Sequence, residues 1–241
     1  MDECVPVLAY HGFAPQSIKE DKFNDSKWID SVENFERQMK YLYDNGWTTL
    51  TADEFYKWHS GNLDIPEKSC MITFDDGYYE MYYTIYPILK KYNFSAVSFI
   101  IGYYTPETTL PYDPAVRSNI GWDKIKEIKS SYPLFQFESH SYNLHGFDEN
   151  GNEPWKTAST SELKEDFKLN ERFHFKYMAY PYGGFNEKML KVIESSEIKM
   201  AFTFKTSGYA TKRCSPYKIP RQKITAETDF NEFKTILEKT L

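Results

Sequence analysis

The apolar residues of the chain fall into short runs and into longer stretches with helical spacing, and the two kinds alternate almost to the end. Residues 5–10 form the first run, which stops at a polar loop. Ser31 then stands where a helix cap is expected. Phe35, Met39, Leu42 and Tyr43 follow at intervals that share one helical face, before Asn45-Gly46 ends the pattern. Residues 48–51 predict a second strand, 52–59 a short helix, 70–74 a third strand and 78–92 another helix. Further strands are expected over 95–101, 134–138, 178–180 and 200–204, with helices over 122–130, 161–173 and 186–194. An eighth strand at 217–220 and a helix at 229–239 complete the chain.

Strands separated by helices imply parallel pairing through right-handed crossovers. Seven or eight such units in about 250 residues predict an α/β fold in which the sheet closes into a barrel. The competing arrangement, an open doubly wound sheet, normally carries a glycine-rich phosphate turn after its first strand. Here that strand runs into Tyr10-His11-Gly12, and neither GxGxxG nor GxxxxGK[ST] occurs.

Composition narrows the picture. The 241 residues contain no repeat and no linker-like tract, so one domain over 1–241 is expected. No run approaches the ~18 apolar residues of a membrane span, and Met1-Asp2-Glu3 leads almost directly into the first strand, so the N-terminus does not inform on export. Lys+Arg of 29 against Asp+Glu of 35, a net charge of -6, excludes a general basic surface, and no nucleic-acid partner is expected. Cys4, Cys70 and Cys214 are too few for a disulfide framework and contain no CxxC. Aromatic residues, 18% of the chain, supply a core and can wall a cleft for flat ligands such as sugar rings.

In a barrel, chemistry gathers where strands end. His11 follows the first predicted strand, Asp75-Asp76 the third, His140 and His145 the fifth, and Pro181-Tyr182-Gly183 the sixth. On extended backbone, adjacent side chains point to opposite sides, so one Asp can bind a cation while the other takes a proton. A capped turn is the structural alternative for this pair. His140, His145 and one carboxylate make a two-His, one-carboxylate set with positions open to water and substrate, although two polar loop histidines would look the same. The spacing of the two histidines does not suit one helix face, so 139–145 is expected to be a loop. His59 and His174 fall in or beside predicted helices and read as structural or surface residues.

Taken in order, Thr73-Phe74-Asp75-Asp76-Gly77, the Ser139-His140-Ser141 to His145 loop and Pro181-Tyr182-Gly183 resemble the polysaccharide deacetylases, the NodB-homology superfamily or carbohydrate esterase family 4. The early Tyr10-His11 and a histidine spacing one residue longer than usual are similar to the branch acting on poly-β-1,6-N-acetylglucosamine, whose motif order is circularly permuted. The likeness spans roughly 5–221. It implies a deformed (β/α) barrel and a divalent cation, usually zinc (Zn2+), held by Asp76, His140 and His145. It also implies Asp75 as general base, the backbone N–H of Tyr182 on the oxyanion and His11 as general acid. The implied substrate is an acetylated amino-sugar polysaccharide met outside the cell or at its surface.

Two departures stand out. Ala179 occupies the place of an Arg that orients the catalytic Asp in most members, and the late Leu-x-x-His acid motif has no counterpart, which favours His11 as the acid. Arg221 is a candidate to approach the rim from the last strand, in place of that Arg or as a substrate contact, although a solvated charge or a structural salt bridge would look the same. Tyr142 and Asn143, between the two His ligands, and Trp122, after a long loop, are candidate substrate contacts, with a core position the stronger expectation for Trp122. The expected activity is metal-dependent N-deacetylation of an N-acetylglucosamine polymer. Chitooligosaccharide, peptidoglycan and xylan are alternative substrates, and a carbohydrate-binding barrel without turnover is the alternative of another class. The sequence specifies no protein partner.

Overall fold

A computed structural model describes residues 3–204 and 206–239. Residues 1, 2, 205, 240 and 241 of the expected 1–241 domain lie outside the described residues. Eight strands run around the molecule: β1 (Val7–Tyr10), β2 (Ser69–Phe74), β3 (Ala96–Ile100), β4 (Phe135–Ser139), β5 (Tyr177–Ala179), β6 (Met200–Thr203), β7 (Ile219–Pro220) and β8 (Gln222–Lys223). They pair in the order β7-β6-β5-β4-β3-β2-β1-β8, every pair parallel. Because β7 and β8 are separated in the chain by Arg221 alone, the two ends of this path are one short segment. The sheet is thereby closed into a nearly complete barrel, and the open-sheet alternative is excluded. Its weakest seam is β4 to β5, joined at Ser139↔Met178, and this gap is the deformation of the barrel.

Strand alternation divides the apolar residues into two layers. Cys70, Ile72 and Phe74 of β2 pack with Phe35, Met39 and Leu42 of the helix Val32–Asp44, whose first turn is capped by Ser31. Met71, Val97, Phe99 and Phe202 turn the other way and share the interior with Phe55 and Trp58. These last two belong to the helix Ala52–His59, started by a Thr51/Glu54 capping box, which seals the end of the barrel where the strands begin. The mouth at the other end is left for chemistry. Among the described residues no helix is long and apolar enough to cross a membrane.

Four local expectations change. The run 5–10 is broken at Pro6, which lacks the N–H needed to continue a ladder, and Cys4–Val5 pairs antiparallel with Ala210–Thr211 instead. The strand expected at 48–51 shrinks to Thr48–Thr49, which pairs with β2 outside the ring. The helix expected from residue 78 begins at Met81, as a π-helical turn over Met81–Ile85 that continues into Tyr86–Tyr92. The parallel pair Gly12–Ala14 and Ile29–Ser31, with the helix Gln16–Lys22 between them, has no periodic signature because that helix buries nothing.

Candidate active site

Two left-handed residues at the end of β2 create the site. The Asp75 N–H still donates to Tyr10 O at 3.0 Å, extending the ladder. Asp76 and Gly77 then take φ of 70° and 68°, and the chain turns away. A Cβ at Gly77 would lie 2.7 Å from Ile100 Cγ2, so glycine is required there for space as well as for conformation. The strained Asp76 costs about 1 kcal/mol or more, which the surrounding contacts must offset. Tyr78 bridges to Asn119 and the helix starts only at Met81, so neither Asp caps it. The two carboxylates are free to diverge.

Asp75 is 2% exposed and lies against Arg221 in a bidentate pair, Nη1 to Oδ1 at 2.7 Å and Nη2 to Oδ2 at 2.8 Å. Burial alone would raise its pKa; Arg221, with smaller help from His140 and His11, outweighs that and holds the carboxylate well below its ordinary range. Arg221 also packs over the Phe204 ring at 4.4 Å. The remaining environment of Asp75 Oδ2 is imidazole, with His11 Nε2 at 3.8 Å and His140 Nε2 at 4.0 Å. Burial lowers the pKa of His11 despite the neighbouring Asp75 and Asp76 charges, and its ring lies 4.5 Å from that of Trp28.

Asp76 faces the two other histidines. Its Oδ1 is 3.6 Å from His140 Nε2 and 3.3 Å from His145 Nε2, and the potential ligand atoms of the three residues lie within 4.8 Å of one another. His140 Nδ1 pairs with Ala179 O at 2.8 Å; as the donor there, it leaves Nε2 free as a ligand. Asp76 Oδ1 is buried with no hydrogen-bond partner among the described residues. A buried, unpartnered carboxylate oxygen facing two imidazole nitrogens fits a divalent cation, and the donor set suits zinc chemistry. Burial, reinforced by His140, lowers the pKa of His145 to about 4, which keeps it neutral and ligand-competent near pH 7.

Two elements hold the loop that carries His145. Asp166, buried on the helix Thr160–Glu171, accepts from the Tyr142 N–H at 2.9 Å and the Asn143 N–H at 2.7 Å. Tyr182, with φ 56°, stacks on the His145 ring at 4.6 Å and accepts from the Gly146 N–H at 2.9 Å.

These residues open onto a cleft of about 450 Å³. Of the residues singled out in the sequence, His11, Asp75, Asp76, His140, His145 and Tyr182 line it. The four expected substrate contacts do not. Arg221 lies buried beneath Asp75, because the closing strand turns it inward. Trp122 stacks on Phe173 at 4.3 Å, and the backbone of Tyr142 and Asn143 is tied down by Asp166. The walls are instead Trp28, Tyr78, Arg117, Phe204 and Lys223, with Ser26 and Ile29. They come from loops and strand ends without periodicity. One sequence feature bears on them: Gly12, where a Cβ would sit 2.2 Å from Arg117 Nη2.

Residues 62–201 match the sequence profile of the polysaccharide deacetylase family. Over 212 residues the chain is 32% identical to the poly-β-1,6-N-acetyl-D-glucosamine N-deacetylase of Staphylococcus aureus, spanning 83% of this chain and 70% of that protein. Among solved structures, the deacetylase PplD of Streptococcus pyogenes, determined in complex with acetate, superposes with a TM-score of 0.80 at 23% identity, over 98% of this chain and 99% of that one. A de-N-acetylase from Aggregatibacter actinomycetemcomitans superposes with a TM-score of 0.77 at 26% identity, over 96% and 99%.

Proposed function

The chain belongs to the polysaccharide deacetylase family, and from that premise we propose that it hydrolyses the N-acetyl groups of poly-β-1,6-N-acetylglucosamine with the help of a divalent cation. The observation that carries this reading is the unpartnered Asp76 Oδ1 facing His140 and His145 beside an Arg221-anchored Asp75. The S. aureus relative, named for that polymer, supports the choice of linkage. Such a polymer lies outside the membrane, so we place the activity at the cell surface or beyond it.

A divalent ion held by Asp76, His140 and His145, most simply zinc, would polarise the acetamide carbonyl and acidify water beside it. Asp75 is held ionised in the resting site and aimed by Arg221, and it takes a proton from the attacking water. The oxygen adds to the acetyl carbon, and Tyr182, the first residue after Pro181 with an N–H, stabilises the negative oxygen. The C–N bond then breaks as His11, which enters this scheme protonated, gives its proton to the leaving amine; the acetyl group leaves as acetic acid, and the proton held by Asp75 passes back to His11 through water. A second division of labour is favoured by the bidentate Arg221 pair, which leaves Asp75 a weak base. In it, His11 receives the proton from water and returns it to the amine, with Asp75 orienting the ring at 3.8 Å.

Acetate release from defined β-1,6 and β-1,4 N-acetylglucosamine oligomers, with and without chelator, tests the reaction. Release confined to the β-1,6 series and abolished by chelator is the expected result. An Asp75→Asn variant should keep stoichiometric zinc and lose activity by at least about 100-fold; unchanged activity would overturn the role of Asp75. His11→Ala separates the two schemes on an activated acetate ester, whose leaving group needs no acid. Ester hydrolysis should survive if His11 is only the acid and disappear if it is the base.

A further inference from the structure

The charges around the cleft do not cancel. Asp75 is matched by Arg221, and Arg117, stacked 3.4 Å over Tyr78, is matched by the buried Glu80 at 2.5 Å. Asp76 is turned to His140 and His145. Lys223, on the wall of the cleft, and Lys27, in an adjoining depression that shares Ser26 and Trp28 with it and also holds Asp21, Asp25 and Glu227, make no ion pair with a carboxylate among the described residues. Both converge on one indole. Lys27 Nζ lies 5.2 Å and Lys223 Nζ 6.0 Å from the ring centroid of Trp28, and Lys223 lies 4.8 Å from that of Phe204. Trp28 is 38% exposed and lines the cleft beside His11.

Two ammonium groups approaching one exposed ring from different segments make that ring a more favourable place for an anion than for a cation. The aromatic faces also offer a surface on which a sugar can stack. We propose that Lys27, Trp28 and Lys223 form a subsite for an acidic substituent, a carboxylate or a phosphate, on a sugar neighbouring the one that is deacetylated. The inference rests on the deacetylase reading for its choice of ligand, a glycan.

The test is a binding titration with the zinc-free chain, which needs no turnover and so stands apart from the acetate assay. Three β-1,6 N-acetylglucosamine pentamers of equal length serve as probes: one neutral, one with a single lactyl carboxylate and one with a single phosphate. At low salt, at least one acidic pentamer should bind about fivefold more tightly than the neutral one. Its advantage should fall towards unity in 0.5 M salt. The better of the two acidic probes identifies the substituent. In the Lys27→Gln, Lys223→Gln double variant the preference should vanish. Equal binding of all three pentamers by the wild-type chain, or a preference that persists in the double variant, overturns the subsite. Absence of acetate release from every oligomer overturns the reaction reading, whatever the titrations give.

Discussion

The two ends of the barrel bury their carboxylates by opposite means. At the mouth, Asp75 is clamped by Arg221 through both oxygens and stays charged. Toward the sealed end, the interior side of β4 presents Gln136, which accepts from the Ala52 N–H, and Glu138, which makes no ion pair among the described residues. One oxygen of Glu138 accepts from the Lys176 and Tyr177 N–H groups at 2.8 and 3.0 Å. Burial nevertheless dominates and raises its pKa to about 7. Two backbone dipoles do not replace a guanidinium: the first arrangement keeps an anion available for chemistry, whereas the second leaves a group that takes up a proton within the neutral range.

The largest test of this contrast is Arg221→Met, which leaves Asp75 ionisable and buried without its partner. Urea unfolding at pH 7 should show a loss of about 3 to 5 kcal/mol, with acetate release lost as well. Ala179 and Arg221 both turn toward the interior beside this site, so adding Ala179→Arg should restore a substantial part of that stability if charge matters more than which strand supplies it. Unfolding of the double variant measures this directly.

A smaller effect is expected where the mouth depends on positioning. Asp166→Ala leaves the Tyr142 and Asn143 N–H groups without an acceptor and loosens the His145 loop. Zinc affinity, measured by competition with a chromogenic chelator, should fall about 10- to 100-fold, while the fold persists in far-ultraviolet circular dichroism.

The smallest effect belongs to the sealed end. The folded-state pKa of Glu138 is raised, so its contribution to stability is fully present below about 4.5 and is lost as pH rises through about 7. Glu138→Gln keeps an oxygen for both N–H groups and removes the ionisation. It should be more stable than the wild type by about 2 kcal/mol at pH 8 and nearly equal to it at pH 4.5, in unfolding measured at both values. A variant with the same pH dependence as the wild type would show that the neutral-range titration of Glu138 does not reach stability.

Much of the site was legible because its residues stand at the ends of periodic segments. Asp75 and Asp76 interrupt an apolar run, His11 ends another, and His140 follows a third, so a barrel reading places them on one rim. The helix expected from Tyr78 was misjudged because helical spacing does not register two consecutive left-handed residues, Asp76 and Gly77. Trp122 suits sugar stacking by residue type, but it takes the core position that was its stronger expectation, packed on Phe173 beyond the end of a different helix. Trp28, Tyr78, Arg117 and Phe204 escaped because aperiodic segments reveal their walls only when folded.

By itself the sequence determined the alternation of strands and helices, the closed α/β architecture and the family, and it named six candidate residues that line one cleft. Each of these is written in local periodicity or in short motifs. Only the tertiary structure decided what stands against them. Arg221 reaches Asp75 across 146 positions because β7 and β8 close the ring, and Lys27 and Lys223 meet at Trp28 from segments far apart in the chain. Burial, charge compensation and the walls of a cleft depend on distances in space, which hydrophobic spacing along a chain does not carry.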